Sequence, residues 1–123
     1  MKEQDARQAI PTDVEVFYRE LREEFYHILD FWKRFSRDAE KGGLVGKMDQ
    51  QGRYIPDAPK GSVLHSRILW TFSAAYKITG DPDHLAIATR AFDYICIHFN
   101  DLLDGGLYWT VDADGKPLDT HKQ

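Results

Sequence analysis

The residues of this sequence that are able to do chemistry are few and scattered. Five histidines stand at His27, His65, His84, His98 and His121. Arg67 sits inside the run His65-Ser66-Arg67-Ile68-Leu69-Trp70, and an aromatic pair, Tyr108-Trp109, follows Gly105-Gly106-Leu107. A histidine pair can pass protons to and from a substrate near neutral pH, because the imidazole titrates there. A guanidinium keeps its charge and can hold sugar oxygens or an oxyanion with two parallel N–H bonds. Aromatic faces stack on the C–H faces of pyranoses, although most tryptophans and phenylalanines serve packing. His65, two residues before Arg67, either lines a pocket entrance or bonds helix-end backbone or solvent.

Other chemistries are excluded. Asp112-Ala113-Asp114-Gly115 shares the start of a calcium loop but lacks its third oxygen ligand and distant glutamate, which predicts a plain turn. Cys96 is the single cysteine, so neither an internal disulfide nor a thiolate-rich metal site can form. Lying in an apolar stripe, it reads as a small core residue. No glycine-rich phosphate loop, nucleophile elbow or zinc spacing is present. No cofactor and no metal are expected. Lys plus Arg is 16 against 20 Asp plus Glu, a formal charge of −4. That balance argues against nucleic acid as a partner. No apolar run is long enough to span a bilayer, and the opening residues lack a secretory apolar core. The expectation is a soluble, cytoplasmic protein without a membrane partner.

The elements that must position these residues follow from periodicity. Thr12 and Glu15 form a capping box, and Val14, Phe17, Tyr18, Leu21, Phe25, Ile28, Leu29, Trp32 and Phe35 then recur at helical spacing. This predicts a first helix that ends near Asp38 to Gly43, with one buried face. A hairpin around Gln51-Gly52 follows. A second helix is predicted over Ser62 to Thr79, stopped by Gly80-Asp81-Pro82. Its apolar residues spread around most of its circumference, which leaves little exposed face for a solvated arginine. A third helix runs from Pro82 or Asp83 to Phe99, with Leu85, Ala88, Phe92, Ile95, Cys96 and Phe99 as its apolar stripe.

The hairpin then recurs. Gly42-Gly43-Leu44, Asp49 and Gly52 return as Gly105-Gly106-Leu107, Asp112 and Gly115, each offset by 63 residues. Such a repeat marks stacked units that cannot bury their apolar faces alone. The chain holds roughly one and a half units where about three are usually needed. It is therefore expected to expose much apolar surface, and either to have more chain belonging to it or to associate with copies of itself.

The segment Asp57-Ala-Pro-Lys-Gly-Ser-Val-Leu-His-Ser-Arg-Ile-Leu-Trp through Thr79-Gly80-Asp81-Pro82 resembles the signature region of the N-acylglucosamine 2-epimerase superfamily, and especially its cellobiose 2-epimerase branch. The stretch Gly105-Gly106-Leu107-Tyr108-Trp109 to His121-Lys122-Gln123 is similar to the next block of that branch, and the resemblance covers the chain after about Pro11. It implies the N-terminal portion of an (α/α)6 barrel of roughly four hundred residues, about six units of the observed period. The fold class is accordingly all-α: three helices with two short β-hairpins, a polar lead over 1–12 and a partial barrel over 13–123. Lys122-Gln123 looks like the opening of a motif leading into the second inner helix, and the chain is expected to be a fragment.

The resemblance also implies a chemistry. Enzymes of this branch invert C2 of the reducing-end glucose of a β-1,4-linked disaccharide through an enediolate, with one histidine removing the proton and another returning it. Arg67 is implied as the cation beside the developing oxyanion, Tyr108 and Trp109 as part of the sugar wall, and His65 as a residue of the pocket entrance. The family's catalytic histidines lie on later inner helices, so this chain alone is expected to be inactive. The expected partners are a disaccharide or monosaccharide substrate and the remainder of the barrel. Two alternatives stand beside this one. The first is an N-acylglucosamine or mannose 2-epimerase or an aldose–ketose isomerase of the same superfamily. The second is a non-catalytic helical module that self-associates through its exposed barrel edges.

Overall fold

A computed structural model describes residues 12–122. The polar lead, Thr12 apart, and Gln123 at the end of the Lys-Gln pair lie outside the described residues. The chain forms two compact units, Met1–Asp30 and Phe31–Gln123.

The described part of the first unit is the beginning of helix α1 (Asp13–Phe35). Its capping box is formed as expected. The Thr12 amide donates to Glu15 Oε2 and the Glu15 amide donates to Thr12 Oγ1, both at 3.2 Å, which satisfies two amides that a helix start leaves unpaired. The expected buried face is not buried: Val14, Phe17, Tyr18 and Leu21 are exposed, and Leu29 is the one buried residue of the helix. Periodicity defines an apolar stripe but does not itself supply a neighbour to cover it.

In the second unit, helices α2 (Ser62–Thr79) and α3 (Pro82–Tyr94) form an antiparallel pair whose contact is the core. Gly80 ends α2 in the left-handed conformation at φ 66°, and its amide donates to the Tyr76 carbonyl. Asp81 opens α3 by accepting from the Asp83 amide, with Pro82 as the first helical residue. Ile68, Phe72 and Ala75 of α2 are buried, as are Ile87, Ala88, Ala91 and Tyr94 of α3. Of the expected stripe Ala88 and Phe99 are buried, while Ile87, Ala91 and Tyr94, outside it, complete the buried face. Leu85 and Phe92 are exposed. The last turn, Ile95–Phe99, is a π-helix closed by the Asn100 amide on the Ile95 carbonyl at 3.0 Å. That wider turn brings Phe99 into the core. Cys96 is exposed, against the expectation of a core cysteine.

Of the two expected hairpins, the second is formed by strands β2 (Thr110–Val111) and β3 (Pro117–Asp119). The first is held by the isolated bridge Met48↔Tyr54, with the Asp49 amide on the Arg53 carbonyl at 2.8 Å and the Ile55 amide on the Lys47 carbonyl at 2.9 Å. Strand β1 (Lys60–Gly61) was not expected. It pairs antiparallel with β2, Lys60 opposite Val111 and Gly61 opposite Thr110, to make a three-stranded sheet in the order β1-β2-β3. Two residues are too short for alternation to show in sequence.

The 63-residue repeat holds at the level of single hydrogen bonds. Asp38 N donates to Gly43 O at 3.1 Å and Asp101 N to Gly106 O at 3.0 Å. The bridges Arg37↔Leu44 and Asn100↔Leu107 are counterparts, and so are the turns in which the Gly52 amide bonds Asp49 O and the Gly115 amide bonds Asp112 O. Asp112 Oδ1 accepts the Asp114 and Lys116 amides, which confirms a turn. A lysine locks each loop. Lys60 Nζ donates to Asp38 Oδ2 at 2.8 Å and Gly42 O at 2.6 Å, and Lys122 Nζ donates to Asp101 Oδ2 at 2.7 Å and Gly105 O at 3.0 Å. Among the described residues no helix is long and apolar enough to cross a membrane.

Candidate functional site

Arg67 lies in the first half of α2, one turn after the helix start, and its position depends on how that start is held. Gly61 precedes the helix and offers no side-chain cap. The orphan amide of Ser62 instead donates to the Trp109 carbonyl at 3.1 Å, and the Ser62 hydroxyl donates to the same oxygen at 3.1 Å. The hairpin β2–β3 thereby caps α2, and the pairing of β1 with β2 fixes the register between them. The Trp109 amide in turn donates to Asp119 O at 2.9 Å.

Between this helix and hairpin lies an open cavity of about 870 Å³. Arg67, Trp70 and Val63 of α2 line one side, with Trp109, His121 and the Gly105–Leu107 loop on the other. Arg67 and Trp70 are three apart on one helix and so share a face. Trp70 is 74% exposed, an unusual state for a large apolar ring unless it has a partner or ligand. His121 is held at Nδ1, 2.9 Å from Asp119 Oδ1, and its amide donates to the same oxygen at 3.0 Å. These bonds, the backbone one foremost, hold the Asp119 carboxyl below the ordinary carboxylate value.

Of the residues expected in the site, Arg67 and Trp109 are brought to one cavity; Tyr108 and His65 are not. Tyr108 stands just before the bend at Trp109 that leads into β2. Its ring lies under Lys122, with Nζ 4.6 Å from the ring centroid. His65 is fully buried. Its Nδ1 donates to Gly61 O at 2.9 Å, and its Nε2 accepts from the Leu44 amide at 3.2 Å. Those bonds define a neutral tautomer. Burial pushes its pKa down to about 4, against a smaller upward effect of the Gly61 bond. The ring stacks on Tyr94, with centroids 4.9 Å apart. His65 ties the first glycine loop to α2 and has no face on the cavity.

Trp70, His121, Lys122 and Asp104 also line the cavity and were not expected there. Trp70 carried a signal, its spacing of three from Arg67. His121 carried a weaker one, the Asp119-Thr120-His121 spacing that lets a carboxylate orient the ring. Among the described residues His121 is the sole histidine on the cavity, and no cluster of histidine, cysteine or carboxylate could hold a metal ion. Chemically, the cavity offers a guanidinium for oxygen ligands, two indole faces for an apolar sugar face, and one oriented imidazole.

Residues 42–123 match the family model for N-acylglucosamine 2-epimerase (GlcNAc 2-epimerase). The cellobiose 2-epimerase of Bacteroides fragilis is 41% identical over 110 residues, covering 89% of this chain and 28% of that protein. A sugar epimerase from a ruminal bacterium superposes with a TM-score of 0.78 at 40% identity, over 83% of this chain and 26% of that one. The cellobiose 2-epimerase of Spirochaeta thermophila superposes with a TM-score of 0.76 at 33% identity, over 89% and 28%. The chain thus spans about a quarter of the length of these relatives. The likeness supports the portion of an (α/α)6 barrel that the resemblance implied. The chain belongs to the N-acylglucosamine 2-epimerase family.

Proposed function

We propose that this chain contributes the oxyanion-binding part of a sugar 2-epimerase that inverts C2 of the reducing-end glucose of β-1,4-disaccharides, turning cellobiose into glucosyl-mannose. The observation that carries the reading is the convergence of Arg67, Trp70 and Trp109 on one cavity, in a chain whose relatives include cellobiose 2-epimerases. Removing a proton from C2 of the ring-opened sugar leaves negative charge that delocalises onto the C1 oxygen, with the C2 hydroxyl beside it. A permanently charged guanidinium donating to those oxygens stabilises that charge where it develops. The indole rings of Trp70 and Trp109 take the C–H faces of the sugar. Tyr108 and His65 act at one remove, Tyr108 by seating Lys122 and His65 by holding the Leu44 loop against α2.

Inversion needs a base on one face of C2 and an acid on the other. We place both on residues outside this chain, because His121 alone among the described histidines reaches the cavity. The test is incubation of the purified chain with cellobiose in D2O, followed by NMR. The expected result is binding without deuterium entering C2 and without glucosyl-mannose. Turnover by the isolated chain would refute the assignment of acid and base elsewhere, and absence of any sugar binding would refute the site.

A further inference from the structure

The two glycine loops are built alike and covered differently. On the first, Asp38–Leu44, Arg90 of α3 donates from Nε to the Gly43 carbonyl at 2.7 Å and from Nη2 to the Asp38 carbonyl. Four residues on, Tyr94 lays its ring against Gly43, where a Cβ would come within 2.5 Å of that ring. The same ring receives Lys60 Nζ at 5.0 Å from its centroid. Under this cover the Lys60 and Asp38 side chains are each 1% exposed.

The second loop, Asp101–Leu107, repeats the geometry, except that the Asp101 carbonyl already accepts the Gly105 amide at 2.9 Å. Gly106 has φ 74° where Gly43 has 62°, and the Gly106 carbonyl takes the Asp101 amide as Gly43 takes that of Asp38. A Cβ at Gly106 would meet only the Lys122 side chain, at 3.7 Å. Lys122 is 36% exposed in its pair with Asp101. Leu102 and Leu103 beside it are 86% and 93% exposed. The backbone that accepts Arg90 and Tyr94 on the first loop is therefore displayed on the second with its acceptor carbonyl and flat glycine face open.

We infer that the Asp101–Leu107 loop is a docking surface for a helix carrying an arginine and, four residues later, an aromatic ring, seated as α3 is seated on the Asp38–Leu44 loop. The guanidinium donates to the Gly106 carbonyl. The ring lies on Gly106 beside Lys122, whose ammonium already sits 4.6 Å from the Tyr108 ring centroid, and Leu102 and Leu103 take the apolar flank. Arginine suits the task because its fork can reach two backbone carbonyls at once. Glycine is required because a Cβ would hold the ring off the backbone and because φ is positive there. The partner is a helix separate from the α3 already present, which is committed to the first loop.

The test is an NMR titration of the ¹⁵N-labelled full chain with a synthetic peptide of residues 80–100, used as a probe helix with the Arg90/Tyr94 spacing. The expected result is shift changes concentrated on the amides of Gly105, Gly106, Leu107 and Lys122. Affinity should fall about tenfold for peptides bearing Arg90→Gln or Tyr94→Ala, as expected for anchor residues. These peptide variants leave the fold of the chain untouched. On the chain, Lys122→Met should weaken binding, and Gly106→Ala should abolish it. Equal affinity for all peptides, or shifts elsewhere, would overturn the inference. So would sedimentation showing that the chain pairs with itself through this loop in competition with the peptide, since the occupant would then be a second copy. Gly105, Gly106, Leu107 and Lys122 also line the cavity given to sugar, so the titration is run without sugar and reads helix docking alone.

Discussion

The carbonyl oxygen of Trp109 accepts both the amide and the hydroxyl of Ser62, each at 3.1 Å. One oxygen thus joins the hairpin that carries an aromatic wall to the first residue of the helix that carries Arg67. A helix start leaves amides without partners, and here the partner comes from the residue just ahead of β2, 47 residues away in sequence. Ser62→Ala keeps the amide bond and removes the hydroxyl bond. The expected loss is about 1 kcal/mol, the usual net value of one such bond, measured by urea unfolding. Sugar affinity should fall with it, because Trp109 is then less firmly placed.

The imidazole of His65 must be neutral to accept the Leu44 amide. Its pKa in the folded chain is about 4, below the ordinary 6.5, because it is buried. The unfolded state therefore binds the proton more readily, and the stability due to neutral His65 is complete above the ordinary value. It is lost progressively as pH falls from 6.5 towards 4. Unfolding in that window should take up about one proton. His65→Gln, whose amide oxygen can replace Nε2 as acceptor, should flatten this part of the stability profile. Circular dichroism melts between pH 4 and 7.5 would show it, and an unchanged slope would count against the buried neutral tautomer.

Lys60 and Asp38 form an ion pair with both side chains 1% exposed. Burial pushes the Asp38 carboxyl up, but the bonds from Lys60 and from the Lys41 and Glu40 amides outweigh it and hold the carboxyl below its usual value. Its contribution is present above the ordinary carboxylate range and is lost as pH falls through the folded value. Lys60→Met strands a buried carboxylate and should cost about 3–5 kcal/mol. Lys60→Met with Asp38→Asn should recover part of that. Lys122→Met, at the repeat's more open pair, should cost less than Lys60→Met. Equal losses at the two lysines, read from denaturation midpoints, would contradict the difference in cover between the loops.

Local signals in the sequence specify the helices well. The Thr12–Glu15 box, the α2 bounds at Ser62 and Thr79, and the Gly80-Asp81-Pro82 break all act within a few residues of where they are read. The repeat was legible because glycines in left-handed turns and turn aspartates cannot be exchanged freely. The lysine locks were not legible: Lys60 and Lys122 are 62 apart while Asp38 and Asp101 are 63 apart, so they fall out of register. The face of α3 is legible at Ala88 and Phe99 but not at Leu85, Phe92 and Cys96, because packing buries Ile87, Ala91 and Tyr94 instead and a π-turn shifts the end of the helix. In the site, Arg67 and Trp109 were named together, but sequence does not show which of two adjacent aromatics faces a cavity. Nor did it show that His65 was needed by backbone at both nitrogens.

The most direct test of the account is a titration of the full chain with cellobiose, followed by the indole N–H signals of Trp70 and Trp109 and the Nε–H signal of Arg67. The cavity assignment predicts saturable shifts at all three, with none at the ring of buried His65. Arg67→Ala should weaken binding at least about tenfold, the order of loss of a charged hydrogen-bond donor, without moving the melting temperature, since Arg67 is an exposed residue of α2. Unchanged affinity in Arg67→Ala, or sugar-induced shifts that bypass Trp70 and Trp109, would contradict the account.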